Sequence, residues 1–277
     1  MTTTSRPDQA PSEGIPQGGR DDDTVQGHWL LARLGKRVLR PGGAELTREL
    51  LEQANLKDAD VVELAPGLGR TATEIVAQHP RSYRGVDADA EAVKAVSPIV
   101  EGYGDVRLAD AARTGLDPDS SDVVIGEAML TMQGDKAKDA IIAEAVRVLR
   151  PGGRYAIHEL GLTPDDLADQ IKTEIRQALA RTIRVNARPL TVTEWQQLLT
   201  SHGLVIDDVR TAPMALLQPR RLVADEGLWG ALRFAGNLIR QPAARARVLA
   251  MRKVFRTYRR QLNAVAITAH KPITPSA

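Results

Sequence analysis

Apolar and polar residues recur along the chain with two periods, one typical of buried strands and the other of helices. Short apolar runs at 60–65, 121–128 and 154–160 fit strands of a parallel sheet, because such strands are covered on both faces. Between them, segments such as residues 135–150 place apolar side chains at helical spacing. Strands that alternate with helices in this way predict an α/β fold with a doubly wound, mostly parallel sheet.

We predict a seven-stranded sheet, whose last strand at 262–270 follows two helical insertions that serve as a lid. A single helix is predicted over residues 27–40, and Thr193 is expected to cap a helix at 191–203. The predicted segments are a disordered tail (1–26), N-terminal lid helices (27–57), a cofactor-binding core (58–160), a helical insertion (161–190), a core helix and strand (191–212), a basic helical insertion (213–260), and a final strand with its tail (261–277).

Composition narrows the classes of function. The chain has no cysteine, which excludes disulfides, a zinc–thiolate site and a cysteine nucleophile, and we predict no metal site. A net charge of +2 and 3% aromatic residues argue against a nucleic-acid binder. The polar N-terminus lacks the apolar stretch of a secretory signal, and no apolar run is long enough to span a membrane, so we expect a cytoplasmic protein.

The sequence VVELAPGLGR, residues 61–70, places a glycine turn between a strand and a helix. Glycines there let the backbone approach a ligand closely, and the helix N-terminus favours an anionic group. Asp87, at the end of the second strand, is well placed for ribose hydroxyls in either a dinucleotide or an adenosyl ligand. The pattern indicates a nucleotide-binding turn.

Glu63 distinguishes the two kinds of ligand. A dinucleotide brings a doubly negative pyrophosphate to this turn, and a neighbouring carboxylate would repel it. S-adenosylmethionine instead brings a sulfonium, an ammonium and one carboxylate, so that Glu63 attracts the cationic part while the helix N-terminus takes the carboxylate. We therefore favour S-adenosylmethionine.

Five stretches resemble, in order and spacing, the motifs of class I S-adenosylmethionine-dependent methyltransferases of the small-molecule branch (type 11). They are VVELAPGLGR (61–70), GVDAD (85–89), VRLAD (106–110), SDVVIGEAML (121–130) and EAVRVLRPGGRYAIHEL (144–160). The resemblance covers roughly residues 42–160, and it is specific for the cofactor rather than for the substrate. The family usually has Asp-x-Gly-x-Gly-x-Gly in its first loop. Here Glu63 stands at the position of the Asp, and Ala65 stands at the position of the first glycine.

The resemblance implies a Rossmann-like methyltransferase fold and a cofactor role for a dozen residues. They are Gly42 and Gly43 (methionine part), Glu63, Ala65, Gly67 and Gly69 (methionine and ribose), Gly126 and Glu127 (sulfonium and methyl), Asp87 and Ala88 (ribose hydroxyls and adenine), and Asp110 and Ala111 (adenine amino group). Three acids have simpler interpretations: Asp110 as a turn cap, Asp87 as an ordinary loop acid and Glu127 as a solvated strand end.

Methyl transfer from a sulfonium mainly requires alignment and exclusion of water, and a general base helps only an acceptor that carries a proton. His158 and Glu159, at the carboxyl end of the fifth strand, and His28, in the lid, are the candidate bases. The simpler interpretations are that His158 packs at a strand end and that His28 lies on the lid surface. No Asn/Asp-Pro-Pro-aromatic signature occurs, which disfavours methylation of nucleobase or glutamine amino groups.

We expect transfer of a methyl group to a small, acidic or amphipathic acceptor. The basic insertion can recruit an anionic substrate, RNA phosphate or, through 245–260, an anionic membrane surface; otherwise it is a solvated helix packed on the sheet. The alternatives are an RNA or protein methyltransferase, a non-catalytic S-adenosylmethionine-binding protein and, last, an NAD-dependent dehydrogenase. The sequence does not specify the oligomeric state.

Overall fold

A computed structural model describes residues 25–273 of the chain. Most of the tail predicted at 1–26, and the last residues of the one predicted at 261–277, therefore lie outside the described residues. Val25, which was assigned to the first tail, is fully buried against the helix that follows. Within the described part the ordered fold thus begins before the predicted boundary.

The sheet has the topology expected of a doubly wound fold. Its order is β3-β2-β1-β4-β5-β8-β7, and β8 is antiparallel to both of its neighbours. The seven-stranded prediction is confirmed, with one addition, because the two-residue β6 pairs with β5 beside this path. The strands are β1 Asp60–Leu64, β2 Ser82–Asp87, β3 Gly104–Leu108, β4 Ser121–Glu127, β5 Leu149–Leu162, β6 Leu190–Thr191, β7 Val205–Pro213 and β8 Leu262–His270.

Helices cover both faces of the sheet, which explains why consecutive strand residues are apolar. Val62 and Leu64 of β1 pack on one side, whereas Val61 packs on the other, and all three are fully buried. The helices are α1 Gly27–Arg33, α2 Gly43–Ala54, α3 Arg70–Val76, α4 Ala90–Val100, α5 Asp135–Val148, α6 Asp169–Ile183, α7 Val192–Ser201, α8 Pro219–Arg240 and α9 Pro242–Thr257.

Two local predictions are wrong. The helix predicted over 27–40 ends at Arg33, because Gly35 adopts a φ of +98° and the Lys36 N–H turns back to the Leu31 carbonyl at 3.0 Å. Thr193 does not cap α7.

The cap of α7 is Thr191, whose hydroxyl accepts from the Glu194 N–H while the Glu194 carboxylate accepts from the Thr191 N–H. The Thr193 hydroxyl instead donates to Asp165 at 2.8 Å. A threonine two residues earlier therefore starts the helix, because only that position forms both bonds of a capping box.

The inserted helices pack chiefly on one another and on α1. Val248 and Met251 of α9 are buried in a cluster with Leu30 and Leu31 of α1, and α9 also contacts α6. The apolar side of the basic insertion thus faces the other lid helices, and Val254 and Phe255 also pack in a cluster with Leu160 and Leu162 of β5. No helix within residues 25–273 combines the length and hydrophobicity needed to cross a bilayer.

β1 lies between β2 and β4, so the chain reverses its direction of winding at this point. Open sheets bind ligands in the crevice at the carboxyl ends of such strands. The glycine turn after β1 and the end of β4 both reach this crevice.

Candidate active site

The glycine turn after β1 is held to the end of β2. Gly67 adopts a φ of +58°, which side chains disfavour, and its N–H donates to the Asp87 carboxylate at 3.0 Å. The second oxygen of Asp87 accepts from the Asp89 N–H at 2.9 Å. Burial raises the pKa of Asp87, although these backbone donors oppose the shift. The turn and the acid are therefore positioned before any ligand arrives.

Glu63 lies just before the turn, on the face of β1 that it shares with Val61. Its carboxyl group is buried and accepts a hydrogen bond from the Tyr83 hydroxyl at 2.6 Å. Burial raises the pKa of Glu63 to about 8, since the Tyr83 hydrogen bond and Arg40 offset only part of the desolvation. A cation placed beside this acid would favour its ionised form.

Glu127, at the end of β4, is the centre of a buried hydrogen-bond network. One oxygen accepts from Arg40 and Thr71, and the other accepts from Thr47 at 2.5 Å and lies 2.9 Å from the Nδ1 of His158. Burial alone would raise the pKa of Glu127, but the Arg40 guanidinium and the His158 contact outweigh it and hold that pKa well below its usual range. Glu127 is thus a buried, ionised acid.

A cleft of about 580 Å³ opens beside the glycine turn, and we call it the glycine-loop cleft. Its walls carry acids and also the cations Arg37, Arg40 and Arg70. The space where a Cβ of Gly67 would point is open as far as the Trp29 ring at 3.6 Å, so backbone can meet a ligand there. Seven predicted residues line the cleft, namely His28, Glu63, Ala65, Gly67, Asp87, Ala88 and Glu127.

This donor and acceptor set fits S-adenosylmethionine. Glu63 can take an ammonium, Asp87 can accept from ribose hydroxyls, and Arg40 offers a cation to a carboxylate. A pyrophosphate, in contrast, would meet the ionised Glu127 and would oppose ionisation of Glu63. The charge pattern therefore agrees with the ligand inferred from the sequence.

The His158 side chain contacts Glu127 and Thr47 and does not face the cleft. It is fully buried on β5, and its Nδ1 lies 3.1 Å from the Thr47 hydroxyl as well as near Glu127. It lines neither the glycine-loop cleft nor the apolar cavity described below. Its contacts orient Glu127, so they do not support the predicted role as a base.

Glu159 points to the opposite face of β5 and anchors a turn. Its two oxygens accept from the N–H groups of Met129, Leu130 and Thr131 and from the Thr131 hydroxyl, at 2.7–3.0 Å. Burial raises the pKa of Glu159, and these donors oppose the shift. Four donors already engage its carboxylate, which indicates an architectural role. Glu159 also lines the apolar cavity described below, and its predicted role as a base stays a prediction.

Three predicted glycines serve packing. A Cβ on Gly43 would collide with the Arg221 guanidinium, and the Gly42 carbonyl accepts from Arg221 at 2.6 Å. A Cβ on Gly69 would lie 2.5 Å from Ile99, so this glycine lets α3 approach α4. None of the three lines the glycine-loop cleft, and their cofactor contacts stay predictions.

Asp110 and Ala111, which are predicted to contact adenine, and Gly126 of β4 are also absent from the walls of the glycine-loop cleft. Asp110 is exposed, and its carboxylate accepts from the Ala112 N–H at 2.8 Å, as expected of a turn cap. Ala111 follows it in the same turn, and Gly126 is buried near Met129. Their cofactor roles stay predictions.

An apolar cavity of about 60 Å³ lies between the sheet edge and the lid helices. Leu31, Leu179, Met251 and Phe255 are among its walls, together with His28. This cavity and the glycine-loop cleft share four lining residues, namely His28, Leu39, Ala128 and Met132.

His28 lies where the two spaces meet, and its imidazole ring is buried. Burial lowers the pKa of His28 to about 4, and its Nδ1 has no hydrogen-bond partner among residues 25–273. The imidazole is therefore neutral at physiological pH and able to accept a proton or a hydrogen bond. Of the three predicted bases, only His28 contacts both spaces.

Comparisons with known proteins agree with this geometry. A family model described as a methyltransferase domain matches residues 62–157. A Haemophilus influenzae protein described as uncharacterized is 33% identical over 251 residues, which cover 88% of this chain and 98% of that protein. The chain contains a methyltransferase domain. The predictions of family and fold are confirmed, and S-adenosylmethionine is the cofactor of this class.

Proteins whose solved structures share this fold include enzymes of different activities. A [4+2]-cyclase, SpnF, is 16% identical with a TM-score of 0.68, covering 91% of this chain and 98% of that one. A phosphoethanolamine N-methyltransferase of Haemonchus contortus, bound to phosphomonomethylethanolamine and S-adenosylhomocysteine, is 17% identical with a TM-score of 0.67. The match covers 89% of this chain and 58% of that protein. These neighbours support the fold and leave the acceptor open.

The candidate site also contains residues that the sequence did not single out. Arg40 pairs with Glu127, Tyr83 holds Glu63, and Trp29 covers Gly67. Arg40 stands just before Pro41, at the end of the helix predicted over 27–40. No spacing rule marks a buried ion pair between residues so far apart in the chain, so no sequence signal could have identified it.

Proposed function

We propose that this methyltransferase transfers a methyl group from S-adenosylmethionine to a small-molecule acceptor whose body is largely apolar. The observation that carries the proposal is the junction between the glycine-loop cleft and the apolar cavity, where four residues line both spaces. An acceptor body in the cavity would point its reactive atom at this junction. The contents of the two spaces could thus meet without crossing solvent.

The residues of the glycine-loop cleft suit the two charged ends of the cofactor. Glu63 would hold the ammonium, Asp87 the ribose hydroxyls and Arg40 the carboxylate. When bound, S-adenosylmethionine supplies a methyl group on a leaving group that is already activated. The chain itself must therefore orient the acceptor and exclude water, and well-oriented reactants can gain roughly 7–11 kcal/mol in this way.

The lid supplies the exclusion of water. Leu179 of α6 and Met251 and Phe255 of α9 close the cavity from above, and they present no charge to an acceptor. The expectation of an acidic acceptor receives no support from these walls, because Arg252 and Arg256 lie on the exposed side of α9. The amphipathic alternative is the one that the cavity favours.

His28 is the group that would receive or orient the acceptor's proton. Its ring is neutral above about pH 4, so the proton-accepting form is present throughout the neutral range. Between pH 6 and 9 the protonation state of His28 does not change, so titration of this ring should not alter the activity there. The activity should fall only as the pH approaches about 4.

Replacing His28 with Ala is expected to lower the rate of methyl transfer about tenfold, because a ring with a pKa of about 4 acts as a hydrogen-bond acceptor for the acceptor's proton, and such a bond contributes about 1.5 kcal/mol at most. The affinity for S-adenosylhomocysteine should stay within about twofold, since the ring is at the acceptor side of the junction. His202→Ala is the matched control: that ring lies on the surface beside Asp139 at 3.2 Å and should change neither quantity.

The assay incubates methyl-labelled S-adenosylmethionine with separated small-molecule, RNA and protein fractions of bacterial cells. Label in the solvent-extractable small-molecule fraction is expected. Label found only in RNA or protein would contradict the proposal. Tight binding of the cofactor without transfer to any fraction would indicate a non-catalytic protein. Equal rates for wild type and His28→Ala would show that His28 does not accept the proton, while the proposed methyl transfer to a small molecule would stand.

A further inference from the structure

The outer face of α8 carries large apolar side chains that nothing in the described chain covers. Leu228, Trp229, Leu232 and Ile239 are 63%, 84%, 54% and 70% exposed. Leu228, Leu232 and Ile239 recur at steps of four and seven, which places them in one stripe along the helix. Trp229 borders this stripe.

Another face of α8 holds the helix against the rest of the protein. Ala231 and Phe234 are buried, and Phe234 packs in a cluster with residues of α1 and α9, so the helix already has an apolar face that packs internally. The outer stripe is a second apolar face and has no packing role among residues 25–273. A second face of this kind costs solubility and indicates an interaction surface.

The charges around the stripe have a single sign. The acids of residues 219–260 are Asp225 and Glu226, whose side chains are only 2% and 4% exposed and pair with Lys36 at 3.6 Å. The exposed charges of this segment are all basic: Arg220, Arg233, Arg240, Arg245, Arg252, Lys253, Arg256, Arg259 and Arg260.

A basic cleft of about 570 Å³ continues this charge on the adjacent side of α8. No acidic side chain is among its wall residues within the described part of the chain. Lys36 is buried beside its acids, but Arg37 and Arg233 are exposed at the cleft. The cationic wall residues are Arg33, Lys36, Arg37, Arg70 and Arg233.

We propose that α8 and α9 form a docking surface for anionic phospholipid membranes, on which the apolar stripe enters the interface and the basic residues meet the headgroups. Exposed apolar side chains beside a purely basic surround, with a tryptophan at the border, are the features of an interfacial helix. A second copy of the chain would bring like charges together. RNA would engage the arginines but would leave the apolar stripe in water. The inference stands independently of the proposed acceptor.

Vesicle co-sedimentation tests this surface with the full chain. Binding to phosphatidylcholine vesicles that contain phosphatidylglycerol should exceed binding to phosphatidylcholine alone by about tenfold or more, and it should weaken with salt. The fluorescence of Trp229 should shift to the blue when vesicles are added, because its exposed ring enters an apolar phase. The combined change Leu228→Ser, Leu232→Ser and Ile239→Ser should reduce binding about tenfold or more without lowering the melting temperature.

The matched control is Leu108→Ser with Val205→Ser, which removes exposed apolar side chains from strands β3 and β7 and should leave binding unchanged. Replacement of Arg240, Arg252 and Arg256 by Gln should flatten the salt dependence. Equal affinity for neutral and anionic vesicles, or full binding by the stripe variant, would overturn the proposal. A wild-type dimer that the stripe variant dissociates would assign the surface to a second copy, and RNA binding that anionic vesicles fail to displace would assign it to RNA.

Discussion

Gly67→Val is expected to abolish cofactor binding while leaving a folded protein. The Cβ position of Gly67 opens into the glycine-loop cleft, with its first contact at 3.6 Å from Trp29, so a branched side chain would fill ligand space. Positive φ at this residue adds strain of about 1 kcal/mol or more. The rise in melting temperature that S-adenosylhomocysteine causes in the wild type should disappear, and affinity should fall at least about 100-fold. A normal ligand-induced rise would show that the loop does not contact the cofactor.

Gly69→Val separates this effect from simple damage. Its new Cβ would meet Ile99 at 2.5 Å, so this variant should lose stability through the packing of α3 on α4. We expect a lower melting temperature without ligand, yet a residual ligand-induced rise in whatever folds. The reverse ranking of the two variants would mean that their roles are exchanged.

Arg40→Met is expected to lower the free energy of unfolding by about 3–5 kcal/mol at neutral pH, because it leaves the buried Glu127 without its counter-ion. The control is Arg81→Met. That guanidinium is 61% exposed and pairs with Asp60 and Asp122, so its loss should cost less than about 1 kcal/mol. Urea unfolding of both variants measures the two quantities.

The same variant should change the response to acid. The folded-state pKa of Glu127 is lower than its ordinary value of about 4.5, so the stabilisation is present above that pH and is lost as the pH falls below it. The difference in stability between wild type and Arg40→Met should therefore be largest near pH 7 and shrink in acid. A difference that is small at pH 7, or that does not narrow in acid, would contradict the assignment of Arg40 as the partner that keeps Glu127 ionised.

The sequence predicts the sheet well because each buried strand carries its own signal. The runs at 60–65 and 121–128 are mostly apolar with few polar residues between, and helices such as 90–100 begin and end where the periodicity does. Glu63 and Asp87 could also be predicted, since both stand at strand ends beside a glycine turn. These signals are local, so they do not depend on distant contacts.

Contacts between distant segments set the limits of prediction. Arg40 and Glu127 are 87 residues apart, and their pairing depends on how the lid meets the sheet. Adjacent residues of β5 face opposite layers, which gives His158 and Glu159 separate supporting roles that sequence position alone cannot distinguish. The end of α1 was missed for another reason, because the turn at Gly35 interrupts an apolar pattern that continues beyond it.

Calorimetric titration with S-adenosylmethionine at pH 7, in two buffers of different ionisation enthalpy, tests the central claim most directly. With its pKa raised to about 8, Glu63 is mostly protonated at this pH and must ionise to hold an ammonium. The account predicts binding that releases protons, no heat with NAD, and a smaller proton release in Glu63→Gln. Binding of NAD, or binding of S-adenosylmethionine with no proton exchange, would contradict it.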